Sequence, residues 1–219
     1  MSDLSAKRLV VFDFDGTLVD SMHSIVSTAR TVMHARGWTD EELGDMRRLV
    51  GPPFPQAFTE LYELSEEEAL QVTKEYRSIY ENLGRDGWPL IDGIGELLQD
   101  LKAAGRFLGT ASSKRQFLLE RGLEANGILG LFDCPMAKQD DFGDSKEAAL
   151  GRVLESLGVS ATDAVMVGDR CYDAHAARAC GVDCVGVLYA NTAPRSELEE
   201  AGCAAIADTV DDLRRILLG

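Results

Sequence analysis

The chain has 219 residues, 45% of them hydrophobic and 27% charged, enough to bury a sizeable core as one large domain or a domain carrying an insertion. Its formal net charge of −15 argues against polymeric nucleic acid as a partner, but not against a small phosphate ester met by a local cation or a metal. Its 5 cysteines lack framework spacing and read as reduced thiols. The N-terminus has no apolar signal region and no run approaches transmembrane length, so the expectation is a cytoplasmic protein with no membrane partner.

The first predicted element is a strand. Leu9-Val10-Val11-Phe12 is too short for a helix and β-branched enough to be buried on both faces. It runs into Asp13-Phe14-Asp15-Gly16-Thr17. Carboxylates at the end of a buried strand are costly unless a metal, hydrogen bonds or solvent in a cleft compensates them. If the strand continues through Phe14, alternation places Asp13 and Asp15 on one side, and a divalent-metal or acid–base site is the first hypothesis. The plainer alternative is a hairpin turn at Asp15-Gly16, but no alternating partner strand follows within hairpin distance.

Residues 22–83 read as helices. Ile25, Val26, Ala29, Val32 and Met33 recur at helical spacing, and Gly37 is a natural terminator. Thr39 with Glu42 and Ser65 with Glu68 fit the capping box, and Gly51-Pro52-Pro53-Phe54-Pro55 must break the chain between those helices. From residue 88 helices and strands alternate: helices over 92–104, 114–126, 146–157 and 172–180, strands over 106–111, 132–134, 164–167 and 184–187, with further helices near Glu197 and over 211–218. This rhythm predicts an α/β fold with a doubly wound parallel sheet, interrupted after its first strand by a helical insertion.

In such a sheet, function gathers at the carboxyl ends of the strands. Thr110-Ala111-Ser112-Ser113-Lys114 lies where a strand is expected to give way to a helix, so its hydroxyls and amides suit an anion. Ser112 or Ser113 simply capping that helix is the more economical account. Lys146 follows a flexible acidic loop and opposes the dipole at the start of its own helix, which leaves a functional and a solvated role equally open. Asp169 follows a fully apolar strand and reads as functional, whereas Asp173 one turn on is accounted for by the helix dipole alone.

Taken together, DFDGTLVDS, TASSK, the lone Lys146 and VGDRCYD resemble, in order, the motifs of the haloacid dehalogenase superfamily of phosphotransferases. The insertion is similar to the small helical cap of its phosphoglycolate-phosphatase-like branch, and the tail VGVLYANTAPRSELEEAGCAAIADTVDDL to that branch and its 5′-nucleotidase-like relatives. The resemblance implies a core formed by residues 1–16 and 88–219 and a substrate-reading cap over 17–87. It implies Asp13 as nucleophile forming an aspartyl-phosphate and Asp15 as general acid–base. Mg²⁺ would be held by Asp13, the Asp15 backbone carbonyl and Asp169, with Asp173 behind them. Gly16, Ser112, Ser113 and Lys146 would hold the phosphate. In the cap, Arg47, Arg48, Tyr76 and Arg77 are candidates to reach an anionic substrate. Two departures stand out: Ser112 where threonine is common, and Ala190-Asn191-Thr192 where a glycine-rich stretch usually follows.

The reading is therefore a Mg²⁺-dependent phosphomonoester hydrolase of a small phosphorylated metabolite, phosphoglycolate-like first, a nucleoside monophosphate second and a phosphosugar mutase third. A haloacid dehalogenase would need neither Asp15 nor Asp169. A phosphoacceptor signalling module, the non-enzymatic alternative, has no use for so large a helical insertion.

Overall fold

In a computed structural model describing residues 3–219, the chain forms an α/β fold around a sheet of 6 parallel strands, so the expected core segment 1–16 is described from residue 3 onward. The strands are β1 (Leu9–Phe12), β2 (Phe107–Arg115), β3 (Cys134–Lys138), β4 (Ala164–Gly168), β5 (Asp183–Val187) and β6 (Ala205–Ala207), in the order β3-β2-β1-β4-β5-β6. Order reverses direction at β1, so its carboxyl end opens onto the crevice between β2 and β4.

The helices are α1 (Met22–Ala35), α2 (Asp40–Leu43), α3 (Gln56–Tyr62), α4 (Glu66–Tyr80), α5 (Ile94–Ala103), α6 (Gln116–Ala125), α7 (Lys146–Leu157), α8 (Cys171–Ala179), α9 (Arg195–Ala201) and α10 (Val210–Leu218). Alternation along β1 divides the core in two. Val10 and Phe12 pack with leucines of α5, α6 and α10, while Leu9 and Val11 pack with α7, α8 and α9. Both faces of the sheet are thus covered, which is why β1 reads as an unbroken apolar run rather than an alternating one.

α1–α4 all lie between β1 and β2, and both predicted capping boxes form, at Thr39 with Glu42 and Ser65 with Glu68. The first of these helices lasts only from Asp40 to Leu43, because Gly44 leaves the helical region at φ 55°. Aromatic rings join the inserted helices: Trp38 meets Tyr62, Phe54 meets Phe58 and Tyr76, and Tyr76 stacks on Tyr80, which meets Trp88. The two connections to the sheet run side by side, with Asp20 N donating to Pro89 O at 2.9 Å and Ile91 N to Leu18 O at 3.0 Å.

Two boundaries differ from the sequence reading. β2, expected to stop at Ala111, continues to Arg115, because pairing with β3 persists past a register shift between Ser112 and Arg115. The strand expected over residues 132–134 begins only at Cys134. Asp133 is instead an anchor, its carboxylate accepting from Leu108 N at 2.8 Å and from Lys102 Nζ at 2.7 and 2.8 Å.

Candidate active site

β1 ends at Phe12, but Asp13 N still donates to Val167 O at 2.9 Å, so the carboxylate is delivered at a fixed height above the sheet and is only 3% exposed. The next turn is tight, with Leu18 N donating to Phe14 O at 2.9 Å. Gly16 sits in it at φ +75°, where a Cβ would lie 2.2 Å from Asp169 Oδ2, so only glycine lets the two loops approach. The Gly16 amide, expected to face a phosphoryl oxygen, donates to Val19 O at 2.9 Å in this structure, and the missing side chain gives Asp169 its clearance.

Asp169 follows β4 and is fully buried, and the carboxylates of Asp13, Asp169 and Asp173 offer oxygens within 4.8 Å of one another. Gly168 makes this approach possible, since a Cβ there would fall 2.0 Å from Asp173 Cγ. Lys146, the first residue of α7, places Nζ 2.9 Å from Asp13 Oδ2 and 2.7 Å from Asp173 Oδ1. The second oxygen of Asp173 accepts from Arg170 N at 3.0 Å, so both of its oxygens are engaged. Burial pushes the Asp173 carboxyl up to about 6, with Lys146 pulling against it, and burial reinforced by Asp173 and Asp13 raises Asp169 well above the carboxylate range. Burial works against the Lys146 charge, but Asp13 and Asp173 outweigh it and raise its pKa.

Three buried acids with one lysine leave negative charge uncompensated, and two oxygens, Asp13 Oδ1 and Asp169 Oδ2, are buried with no hydrogen-bond partner among the described residues. Hard oxygen donors with free lone pairs suit a divalent cation such as Mg²⁺. Asp13 and Asp169 therefore fit a metal directly, while Asp173, its oxygens spent on Lys146 and Arg170 N, holds the lysine.

Asp15 turns away from this cluster. Its Oδ2 lies 2.8 Å from Lys114 Nζ and its Oδ1 accepts from Ser21 Oγ at 2.5 Å. Lys114 is nearly buried and lies 4.7 Å from the centre of the Tyr80 ring. Burial opposes its charge, but Asp15 and Tyr80 outweigh that and raise its pKa. Lys114 and Ser21 sit inside the quoted motifs, yet nothing in their order along the chain pairs them with Asp15. The lysine reaches it only because β2 stays extended through Lys114.

Asp13, Asp15, Ser112, Ser113, Lys114, Arg115, Tyr76 and Arg77 line one cleft with about 60 Å³ of internal space, walled by Leu49, Phe54, Tyr80 and Leu118. Ser112 is 1% exposed and lies within β2, so it does not sit at a helix N-terminus; its Oγ accepts from Lys114 N at 3.3 Å. Ser113 borders this cleft and the neighbouring depression that Lys146 lines. Tyr76 and Arg77 reach the cleft, whereas Arg47 and Arg48 do not. Those two line a separate surface depression with Arg170 and Glu197, and Arg47 is held by Asp45 at 2.6 Å.

Buried carboxylates that could hold a metal ion thus gather at the switch point of a doubly wound sheet, with helices inserted after the first strand, where such sheets bind their ligands. The model of the haloacid dehalogenase-like hydrolases matches residues 10–187, and the chain belongs to that family. It is 31% identical over 189 residues to a 5′-nucleotidase of Pseudomonas aeruginosa, covering 82% of each chain. To tyrosine-protein kinase PtkA of Mycobacterium tuberculosis it is 36% identical over 214 residues, which are 96% of this chain and 72% of the relative. The crystal structure of a predicted phosphatase from Clostridium acetobutylicum matches with a TM-score of 0.90 at 32% identity, over 96% of this chain and 98% of that one. Among the described residues no helix is long and apolar enough to cross a membrane.

Proposed function

We propose that the chain is a Mg²⁺-dependent phosphomonoester hydrolase that works through an aspartyl-phosphate on Asp13. The observation that carries this reading is the division of labour at Asp13: Oδ2 is pinned by Lys146 at 2.9 Å while Oδ1 is buried with no hydrogen-bond partner among the described residues. Asp13 attacks phosphorus in line, its carboxylate oxygen forming the new P–O bond as the bond to the leaving alkoxide breaks. Asp15, whose rotamer Lys114 and Ser21 fix, gives that alkoxide its proton. It then takes a proton from the water that attacks the aspartyl-phosphate, which releases inorganic phosphate and regenerates Asp13. Ser112 and Lys146 steady the phosphoryl oxygens. Mg²⁺ held by Asp13, Asp169 and the Asp15 carbonyl would lower the repulsion between carboxylate and phosphoryl group.

Residues 17–87 serve as a cap, hinged where Asp20 and Ile91 pair with the opposite connection. The small cleft supports a compact ester of the phosphoglycolate kind ahead of a nucleoside monophosphate. Phosphate release across a panel of metabolite phosphates, with Mg²⁺ and with excess EDTA, tests the proposal; release that EDTA does not reduce would overturn it. A second reading follows from the relative named a tyrosine-protein kinase: the phosphoryl group passes to a protein hydroxyl rather than to water. Phosphotyrosine formed from ATP on a tyrosine peptide would favour it.

A further inference from the structure

One wall of the cleft carries charge that the reaction above does not use. Arg77, from α4, and Arg115, from the end of β2, both line it. Both close on Asp141, in the loop between β3 and α7. Arg77 Nη1 and Nη2 donate to its two oxygens at 2.8 and 2.7 Å, and Arg115 Nη1 lies 3.1 Å from Oδ1. The backbone carbonyl of Asp141 accepts from Gln56 Nε2 at 2.8 Å and from Lys138 Nζ at 3.1 Å. Two arginines thus gather on one carboxylate, with a lysine on its backbone carbonyl, in a chain whose net charge is −15. The neighbouring acids are occupied elsewhere: Asp140 accepts from Phe142 N, and Asp144 is paired with Arg152 at 2.8 Å. Arg115 Nε is buried with no partner among the described residues.

A planar guanidinium donating two bonds to a carboxylate, with a second arginine holding a spare buried donor, is a carboxylate-binding arrangement. Here a side chain of the protein fills it. We propose that Arg77 and Arg115 form a subsite for a carboxylate on the leaving-group side of the phosphate ester, and that Asp141 is an internal competitor that the substrate displaces. This rests on the hydrolase reading and extends it. Because Arg77 rides on the inserted helices and Asp141 on the loop that follows β3 of the sheet, exchange of one carboxylate for another replaces an internal tie across the cleft with a tie through the substrate. An ester whose leaving group carries no carboxylate cannot make that exchange and leaves the wall as it is.

Binding and turnover together test the proposal. The probes are 3-phosphonopropionate, a non-hydrolysable carboxylated analogue, and propylphosphonate, its match without the carboxylate, titrated calorimetrically into wild-type protein with Mg²⁺. The carboxylated probe is expected to bind about 10-fold tighter, the cost of one lost charge-assisted contact being at least that large. Arg115→Gln, and independently Arg77→Gln should the first fold poorly, removes most of that preference and leaves propylphosphonate within about twofold of wild type. Asp141→Asn widens the preference, because the competitor is gone. Equal binding of both probes by wild type, or a preference untouched by the folded arginine variant, overturns the subsite. In parallel, phosphate release is followed from phosphoglycolate and ethyl phosphate. No release with the binding pattern intact defeats the hydrolase reading and leaves the subsite standing. Release of both with flat binding does the reverse.

Discussion

Asp13, Lys146, Asp169 and Asp173, a buried floor that shares Asp13 with the cleft, are between 0 and 5% exposed, while Arg77 and Arg115 of the cleft wall and their partner Asp141 keep 17 to 26% of each side chain in solvent. The floor comes from two strand ends, the start of α7 and the first turn of α8, all anchored by the sheet; the wall joins an inserted helix to a loop. An uncompensated charge costs several kcal/mol in the first setting, and far less in the second, where water substitutes for a lost partner. The floor therefore has one arrangement that satisfies its charges, and the wall tolerates exchange. On the proposed reading, chemistry falls on the rigid part and choice of substrate on the part able to rearrange.

Mutations at the two places should differ accordingly. Asp13→Asn removes the nucleophile and is expected to lower Mg²⁺-dependent phosphate release by roughly 10³-fold or more; near wild-type kcat would sink the aspartyl-phosphate. Lys114→Met leaves Asp15 with Ser21 alone and should lower kcat by about 10²-fold with little change in KM, since it disturbs the proton donor and not the phosphate grip. A KM effect of the same size would instead place Lys114 on the substrate.

Asp141→Asn is smaller and shows as stability. Burial opposes the Asp141 charge, but Arg77 and Arg115 outweigh it and hold its pKa below the ordinary 3.8. Because the folded-state value is the depressed one, the stabilisation is complete above pH ~4 and disappears as pH falls through the lower, folded value. Wild type should exceed Asp141→Asn by about 1–2 kcal/mol at pH 6 in urea unfolding, with the gap closing below pH ~4. A gap that stays constant down to pH 3 would show that the ion pairs contribute nothing. Arg47→Ala is the weakest change: its side chain is 67% exposed and lies outside the cleft, so kcat/KM should stay within about twofold.

The parallel sheet was legible because β1 and β4 are short apolar runs closed by glycine or aspartate and helices alternate with the strands after them, and Thr39 and Ser65 announced their helices by local hydrogen bonding that needs no distant partner. The strand-end acids were legible for the same reason: Asp13 and Asp169 stand directly after β-branched runs that have only one place to go. Lys114 and Arg115 escaped because their meaning depends on β2 staying extended four residues past Ala111, a choice made by pairing with β3 and invisible in the residues themselves. Gly16 was legible as a flexible residue, but its task was not, since the atom it makes room for, Asp169 Oδ2, belongs to a loop 153 positions away.

Periodicity, capping and turn chemistry act over a few residues, and so the residues alone were enough for the alternation of helices with the first five strands, the acids at the strand ends and the insertion after β1, though not for β6 (Ala205–Ala207). Which cations answer which carboxylates was decided by packing across the fold. Lys146 went to Asp13 and Asp173, Lys114 to Asp15, and Arg77 with Arg115 to Asp141. Those pairings are settled by desolvation and distance across the fold. A charge finds its partner among whatever the packing brings within about 3 Å, not among its neighbours in the chain.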